Sequence, residues 1–235
     1  MSRAIVVVLL VFLMPNFMLG QEDYVARRKQ MVETQIQARG IDNLATLHAM
    51  LNVPRHLFVP EKAKPFAYYD HPLAIGNGQT ISQPYIVAFM TQALRLKSDH
   101  KVLEVGTGSG YQAAVLAKIV DSVYTIEIVE ELAQSAAERL RQLNYSNVTI
   151  RSGDGYNGWP NKAPFDAIMV TAGAEYIPQP LIDQLRVGGR MIIPVGPHNK
   201  VRQLVLVSKK KNKIVKKNVM AVRFVPFTRE WPQKQ

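Results

Sequence analysis

Residues Lys101 to Tyr111 read KVLEVGTGSGY, and this stretch constrains the fold more than any other. A short apolar run carrying Glu104 leads into three glycines at alternate positions, Gly106, Gly108 and Gly110. The run predicts a buried strand and the glycines a tight turn. Tyr111 to Ile119 is apolar and alanine-rich, which predicts a helix packed on the sheet. Such a strand–turn–helix unit leaves backbone N–H groups bare at the helix start, and only glycine lets a cofactor approach that backbone closely. The unit predicts a nucleotide-like ligand at the carboxyl end of the first strand of an open α/β sheet.

Spacing narrows the ligand. The dinucleotide fingerprint G-x-G-x-x-G seats a pyrophosphate on the helix N-terminus. Here the order is G-x-G-x-G, and Tyr111 stands where the last glycine would fall. Glu104 lies two residues before the first glycine, where a carboxylate repels a pyrophosphate and suits an ammonium or sulfonium. The pattern E-x-G-x-G-x-G resembles motif I of the class I S-adenosylmethionine-dependent methyltransferases, with a nicotinamide enzyme as the alternative that a glycine turn alone leaves open. Ser122 to Ile128, SVYTIEI, reads as the next strand and carries Glu127 near its end. An acid about 20 residues past the glycine turn can accept both ribose hydroxyls. An acid at a helix start is also favoured by the helix dipole alone. Val148 to Arg151 reads as a short strand ending in Gly153-Asp154-Gly155. In this fold that turn faces the adenine, where Asp154 can accept from its amino group; an ordinary Asp-Gly turn is the plainer reading.

Upstream, Pro72 to Pro84 reads PLAIGNGQTISQP, a loop-like segment placed to form a lid over the ligand. The segment GQTISQPYIVA (Gly78 to Ala88), followed by VLEVGTGSGYQAAVLA, resembles the protein-L-isoaspartate (D-aspartate) O-methyltransferase family. So do NVPRHLFVP (Asn52 to Pro60), the GDG turn, PFDAIMVTAGA (Pro164 to Ala174), LIDQLRVGGRMIIPVG (Leu181 to Gly196) and VRFVPFT (Val222 to Thr228). The resemblance runs from about Met31 to Thr228. It implies a Rossmann-like open sheet, mostly parallel with antiparallel C-terminal edge strands. It also implies methyl transfer from S-adenosyl-L-methionine to the α-carboxyl of L-isoaspartyl residues in damaged proteins and peptides, with D-aspartyl residues a second acceptor it leaves open. Ser82 takes the active-site role in the resemblance. Ile81, Glu104, Gly106, Gly108, Gly110, Glu127, Asp154 and Gly155 become cofactor-binding candidates, and Gln79, Thr80, Tyr85 and Thr228 second-rank candidates around the same pocket.

The implied chemistry asks little of the side chains. A sulfonium is an activated donor, and a carboxylate with a reference pKa of about 4 is already ionised at neutral pH. No general base is required, so alignment and desolvation are the work. A buried Arg bound to the acceptor would blunt its nucleophilicity, whereas a hydroxyl such as Ser82 orients it without neutralising it. A loop serine otherwise bonds nearby backbone. The five histidines, His48, His56, His71, His100 and His198, show no metal-ligand spacing and read as surface or loop residues, so no metal is expected. Asp166 and Asp183 fit a strand start and a helix face and receive no chemistry.

The chain reads as one domain over residues 21–235, with a helical region and the substrate loop in 21–98 and the cofactor-binding core in 99–235. Further strands are expected over Phe165 to Val170, Gly189 to Pro194, Val201 to Ser208, Ile214 to Ala221 and Val222 to Val225, with Lys209 to Lys213 as a turn. A helix beginning after Pro178 carries Leu181 to Leu185. The net charge of +11 raises an RNA methyltransferase as the rival enzyme, beside a small-molecule methyltransferase. No basic stripe interleaved with aromatics is present, VTAGAEY lacks the Asn/Asp-Pro-Pro-aromatic motif of exocyclic-amine methylation, and the absence of cysteine excludes the covalent route to cytosine C5. No nucleic acid partner is therefore expected, and a monomer is. Met1 to Gly20 departs from the resemblance: Arg3 and an apolar run from Ala4 to Leu13 read as a secretory signal, too short for a comfortable membrane span. Export to a periplasm is the expectation if this segment acts. Translation from Met14, Met18 or Met31 would leave the protein in the cytoplasm, the family's usual location.

Overall fold

The computed structural model describes residues 23–198 and 200–229. The Met1 to Gly20 signal reading lies outside the described residues. Residues 23–30 form a first helix, α1, that widens into the π-helical segment Met31–Ile36 and tightens into a 3₁₀ turn, Gln37–Arg39. Helix α2 (Leu44–Asn52) follows, its N-terminus capped by Asn43, whose side chain accepts from the Thr46 amide. Helix α3 (Pro84–Ala93) starts on a proline, which needs no amide there.

The core is a seven-stranded sheet of β3 (Lys101–Val105), β4 (Ser122–Glu127), β5 (Val148–Ser152), β6 (Phe165–Val170), β7 (Leu185–Val195), β8 (Arg202–Lys210) and β9 (Lys213–Val222) in the order β5-β4-β3-β6-β7-β8-β9. Strands β5 to β7 of that order pair in parallel and β8 and β9 antiparallel. Helices α4 (Tyr111–Ala117), α5 (Glu130–Gln142) and α6 (Gln179–Gln184) connect them. On α5, Leu132, Ala133, Ala136 and Leu140 are buried at helical spacing, with acids in its first turn and arginines in its last. Every residue of β6 is buried, as a central parallel strand covered on both faces requires. Neighbouring Val102 and Leu103 in β3 join different hydrophobic clusters, one under the N-terminal helices and one under α6.

Several expectations need correction. Pro72 to Pro84 is not a loop: Leu73–Gly76 (β1) and Gln79–Ile81 (β2) pair antiparallel around Asn77 and Gly78, both at positive φ, 50° and 69°. That is the backbone of a two-residue hairpin turn. The separate strand expected over Val222 to Val225 does not form. The last rung of the ladder pairs Arg202 with Val222, so no strand remains for residues 223–225 to pair with. Those residues leave the sheet as a strap, held where the Gly173 amide donates to the Val225 carbonyl and the Phe227 amide to the Gly173 carbonyl. The turn between β8 and β9 is only Lys211 and Asn212. β9 pairs on one side alone, and Lys213, Lys216 and Lys217 are exposed along it.

His56 is buried, not a surface residue. Its ring stacks on Tyr24 at 4.0 Å and its Nδ1 lies 2.7 Å from the Tyr68 hydroxyl. Burial, and then the nearby Arg28 and Lys64, lower its pKa to about 4. Asp166 does structural work across the sheet, accepting from the Lys101 amide at 2.8 Å and pairing with Arg186.

Candidate active site

The chain runs from β3 outward to β5, then returns to the other side of β3 with β6. A crevice opens at the carboxyl ends of β3 and β6, the switch point where ligands of open α/β sheets bind. The turn after β3 supplies Gly106 and Gly108 to the crevice, β4 supplies Ile126 and Glu127, the turn after β5 supplies Gly155, and Thr171 follows β6. Gln79 and Thr80 of β2 and Val225 to Thr228 of the strap complete the walls.

The glycine turn is packed tightly. A Cβ on Gly106 would lie 2.4 Å from Thr171 Oγ1, and one on Gly155 2.4 Å from Val105 Cγ1. Over Gly108 sits Ile75 of β1, 3.3 Å from where a Cβ would be, so the hairpin lies across the turn. The amides of the turn itself are mostly engaged, whereas those at the start of α4, Tyr111 to Ala113, and that of Ser109 have no partner among the described residues, as expected of a helix start. Gly106 and Thr107 donate to the Ile126 carbonyl, Gly110 to the Thr107 carbonyl, and Gly108 to Glu127 Oε2 at 2.7 Å. With Gly106, Thr107 and Gly108 engaged, the part of the turn that lines the crevice offers no free amides to a phosphate. Glu127 presents the opposite character. Its Oε1 accepts from the Val129 amide at 3.0 Å, and each oxygen keeps a further lone pair for a hydroxyl donor in the crevice.

Other candidate residues fall in different places. Glu104 is fully buried beneath the crevice rather than on its wall. Thr125 Oγ1 donates to its Oε2 at 2.6 Å, Thr107 Oγ1 lies 2.7 Å from that hydroxyl, and Glu104 Oε1 has no partner among the described residues. Burial pushes its pKa up to about 8, with the Glu127 charge adding to the rise and the Thr125 bond opposing it. Gly110 faces α5, where a Cβ would meet Leu140 Cδ1 at 3.1 Å, and does not line the crevice. Asp154 stands beside it: Oδ1 accepts from the Tyr156 amide at 2.9 Å and Oδ2 from Arg229 Nε at 3.1 Å. Tyr85 lies under the Arg39 guanidinium, 3.5 Å from its ring centre, away from the crevice.

A second cavity of about 370 Å³ abuts the crevice. Ser82, Gln83 and Pro72 line one side and Ala221 to Val225 the other. Thr80, Thr171 and Val225 wall both spaces. Ile81 and Ser82 also line a small gap between β2 and the glycine turn. Thr228 sits on the exposed outer part of the strap.

Two residues escaped sequence reasoning. Thr171 donates from Oγ1 to the carbonyls of Gly106 at 2.6 Å and Val105 at 3.0 Å, tying β6 to the glycine turn. Its place directly after a central strand was the available clue. Arg55 is wholly buried, with Nε donating to the Ala67 carbonyl and Nη2 to the Ser82 carbonyl. Among the described residues no group of three or more metal-ligating side chains converges, and no helix is long and apolar enough to cross a membrane.

Comparison with known proteins gives one answer. Residues 26–231 match the family model described as protein-L-isoaspartate(D-aspartate) O-methyltransferase (PCMT). A protein-L-isoaspartate O-methyltransferase of Opitutus terrae is 61% identical over 205 residues, covering 87% of this chain and 88% of that protein. One from Gloeobacter violaceus is 55% identical over 87% of this chain and all of its own length. Among solved structures, a protein-L-isoaspartate O-methyltransferase superposes with a TM-score of 0.78 at 28% identity, over 85% of this chain and 65% of that one. A Plasmodium falciparum structure of the same description, in complex with S-adenosyl-L-homocysteine, gives 0.74 at 27% identity, over 88% of this chain and 99% of that one.

Proposed function

The chain belongs to the protein-L-isoaspartate(D-aspartate) O-methyltransferase family, and from that premise we propose how its residues divide the work. The reaction moves a methyl group from S-adenosyl-L-methionine to the α-carboxylate of an L-isoaspartyl residue in a damaged protein. The ester then closes to a succinimide that reopens partly to normal aspartate. The bound cofactor supplies a methyl group already activated on a sulfonium.

The crevice fits such a ligand by its donor and acceptor set. Glu127 offers carboxylate lone pairs to ribose hydroxyls, while the part of the glycine turn that lines the crevice offers backbone surface and no free amides. Asp154 and Gly155 hold the adenine end, with Arg229 positioning the Asp154 carboxylate. Ile81, Thr80 and Gln79 close the hairpin over the crevice.

Ser82 orients the acceptor carboxylate in the neighbouring cavity. The single observation that carries this reading is the shared wall: the cavity of Ser82 and the crevice meet at Thr80, Thr171 and Val225. An acceptor in one therefore faces a donor in the other across a short gap, which is the alignment the transfer needs. Arg55, fully buried, spends Nε and Nη2 on the carbonyls of Ala67 and Ser82, leaves Nη1 without a partner among the described residues, and does not line the acceptor cavity, so the acceptor keeps its nucleophilicity. In this reading the protein acts as a monomer, and Met1 to Gly20 directs export. N-terminal sequencing of the native protein tests export, and an intact Met1 overturns it.

The test of function is methyl transfer from labelled S-adenosyl-L-methionine to an isoaspartyl peptide, beside the same peptide with normal aspartate. Transfer to the isoaspartyl form alone is expected. Equal labelling of both would overturn the proposed acceptor geometry.

A further inference from the structure

Beyond the strap lies a third cavity, of about 510 Å³, that the reaction above does not use. Its charged lining is Arg202, Arg229, which is paired with Asp154, and the exposed Glu175, beside Tyr156, Tyr176, His198 and the strap residues Pro226 to Thr228 that also wall the cofactor crevice. Arg202 is the unusual member. It is only 2% exposed, yet no carboxylate among the described residues pairs with it. Its Nη1 donates to the Phe224 carbonyl at 3.2 Å, while Nε and Nη2 are buried without partners.

Those two nitrogens form one edge of the guanidinium, the fork that takes both oxygens of a carboxylate side-on. A buried, unpaired cation is costly, as is each buried N–H left without an acceptor. The chain nevertheless makes room for it. A Cβ on Gly173 would lie 2.5 Å from Arg202 Nε, and one on Gly196 3.2 Å from its Cγ. Two glycines thus accommodate an arginine whose carboxylate-binding edge is unspent.

We propose that this cavity is a subsite for an acidic side chain of the substrate polypeptide, its carboxylate held by Nε and Nη2 of Arg202. This rests on the methyltransferase reading of the neighbouring crevice. A polypeptide is favoured over a free anion because the cavity shares the strap with the crevice, and its walls include the rings of Tyr156, Tyr176 and Phe227 as well as the cation. Tyr176 and His198 are exposed, so the cavity opens to solvent on that side. Occupancy would also brace the strap, since Nη1 of the same guanidinium holds the Phe224 carbonyl.

The test uses isoaspartyl peptides that differ only by Glu or Gln at one flanking position at a time. At one position, Glu should lower KM about tenfold relative to Gln, consistent with a charge-assisted pair. That preference should persist in high salt, where attraction to the basic surface is screened. In the Arg202→Gln enzyme the Glu-to-Gln ratio should fall to about one, and the ratio is the readout because loss of the bond to the Phe224 carbonyl can change the rate on both peptides alike. A ratio of one at every position in the wild type overturns the subsite, and so does a preference that survives in Arg202→Gln. Should that variant fail to fold, the wild-type position scan in high salt still decides. Failure to methylate any isoaspartyl peptide would count against the function itself, which separates the two readings.

Discussion

Arg55 donates from Nη2 to the main-chain carbonyl of Ser82 at 2.7 Å, from a guanidinium with no solvent exposure. Its Nε reaches the Ala67 carbonyl at 2.8 Å, and its Cζ lies 4.9 Å from the centre of the Tyr111 ring. Burial lowers its pKa to about 10, which leaves it charged at neutral pH. The cation therefore fixes the backbone that carries the active-site hydroxyl, and Tyr111 links it to the first turn of α4.

Replacing Arg55 by Met should cost about 2–4 kcal/mol, because the carbonyls of Ala67 and Ser82 lose their buried donor. It should also lower kcat about tenfold through a displaced Ser82. Arg55→Lys should recover part of both. Denaturant unfolding and steady-state kinetics read the two effects; a variant with full stability and wild-type kcat would show that Ser82 is positioned by the hairpin alone.

Ser82→Ala should reduce kcat/KM for an isoaspartyl peptide by roughly 10- to 100-fold, since orientation and not proton transfer is lost. Cofactor affinity, measured by calorimetry, should stay within about twofold because Ser82 does not wall the crevice and meets the glycine turn only across the small gap beside β2. Unchanged turnover at saturating peptide would remove Ser82 from the mechanism.

Glu104 makes stability depend on pH in a direction opposite to most carboxylates. Its pKa is about 8 when folded and near the ordinary 4.5 when unfolded, so between these values the folded state holds a proton that the unfolded state has released. The stabilisation is complete below the lower value and is lost as pH rises through the higher one. Gln at this position is neutral throughout. The Glu104→Gln variant should gain in Tm relative to wild type as pH rises from about 4 to about 8, with no further gain above. Parallel melting curves across that range would mean that Glu104 ionises freely in the folded state.

Much of this was legible before the structure. The run Lys101 to Tyr111 fixed a strand, a turn and a helix because its apolar period and its glycines agree, and the placement of Glu127 followed from chain length past the turn. The hairpin was missed although Asn77-Gly78 is a strong hairpin pair, because prolines and polar side chains on both flanks resemble a loop. Gly110 looked like part of the ligand cradle, yet its neighbours are Leu140 and Ala136 of α5, contacts that no local spacing encodes. His56, Arg55 and Arg202 were illegible for the same reason. Whether such a side chain is buried depends on groups brought from elsewhere: Tyr24 and Tyr68 for His56, the Ala67 and Ser82 carbonyls for Arg55, and Gly173 for Arg202.

The lysines on β9 bear on the company this enzyme keeps. Its acceptors are damaged chains, whose loosened segments expose backbone in search of a partner, and an open sheet edge is a ready template for them. Any strand that docked beside β9 would have to strip water from Lys213, Lys216 and Lys217. The same charges that look like an invitation to nucleic acid thus act as a fence, allowing the protein to handle aggregation-prone clients without being recruited into their aggregates.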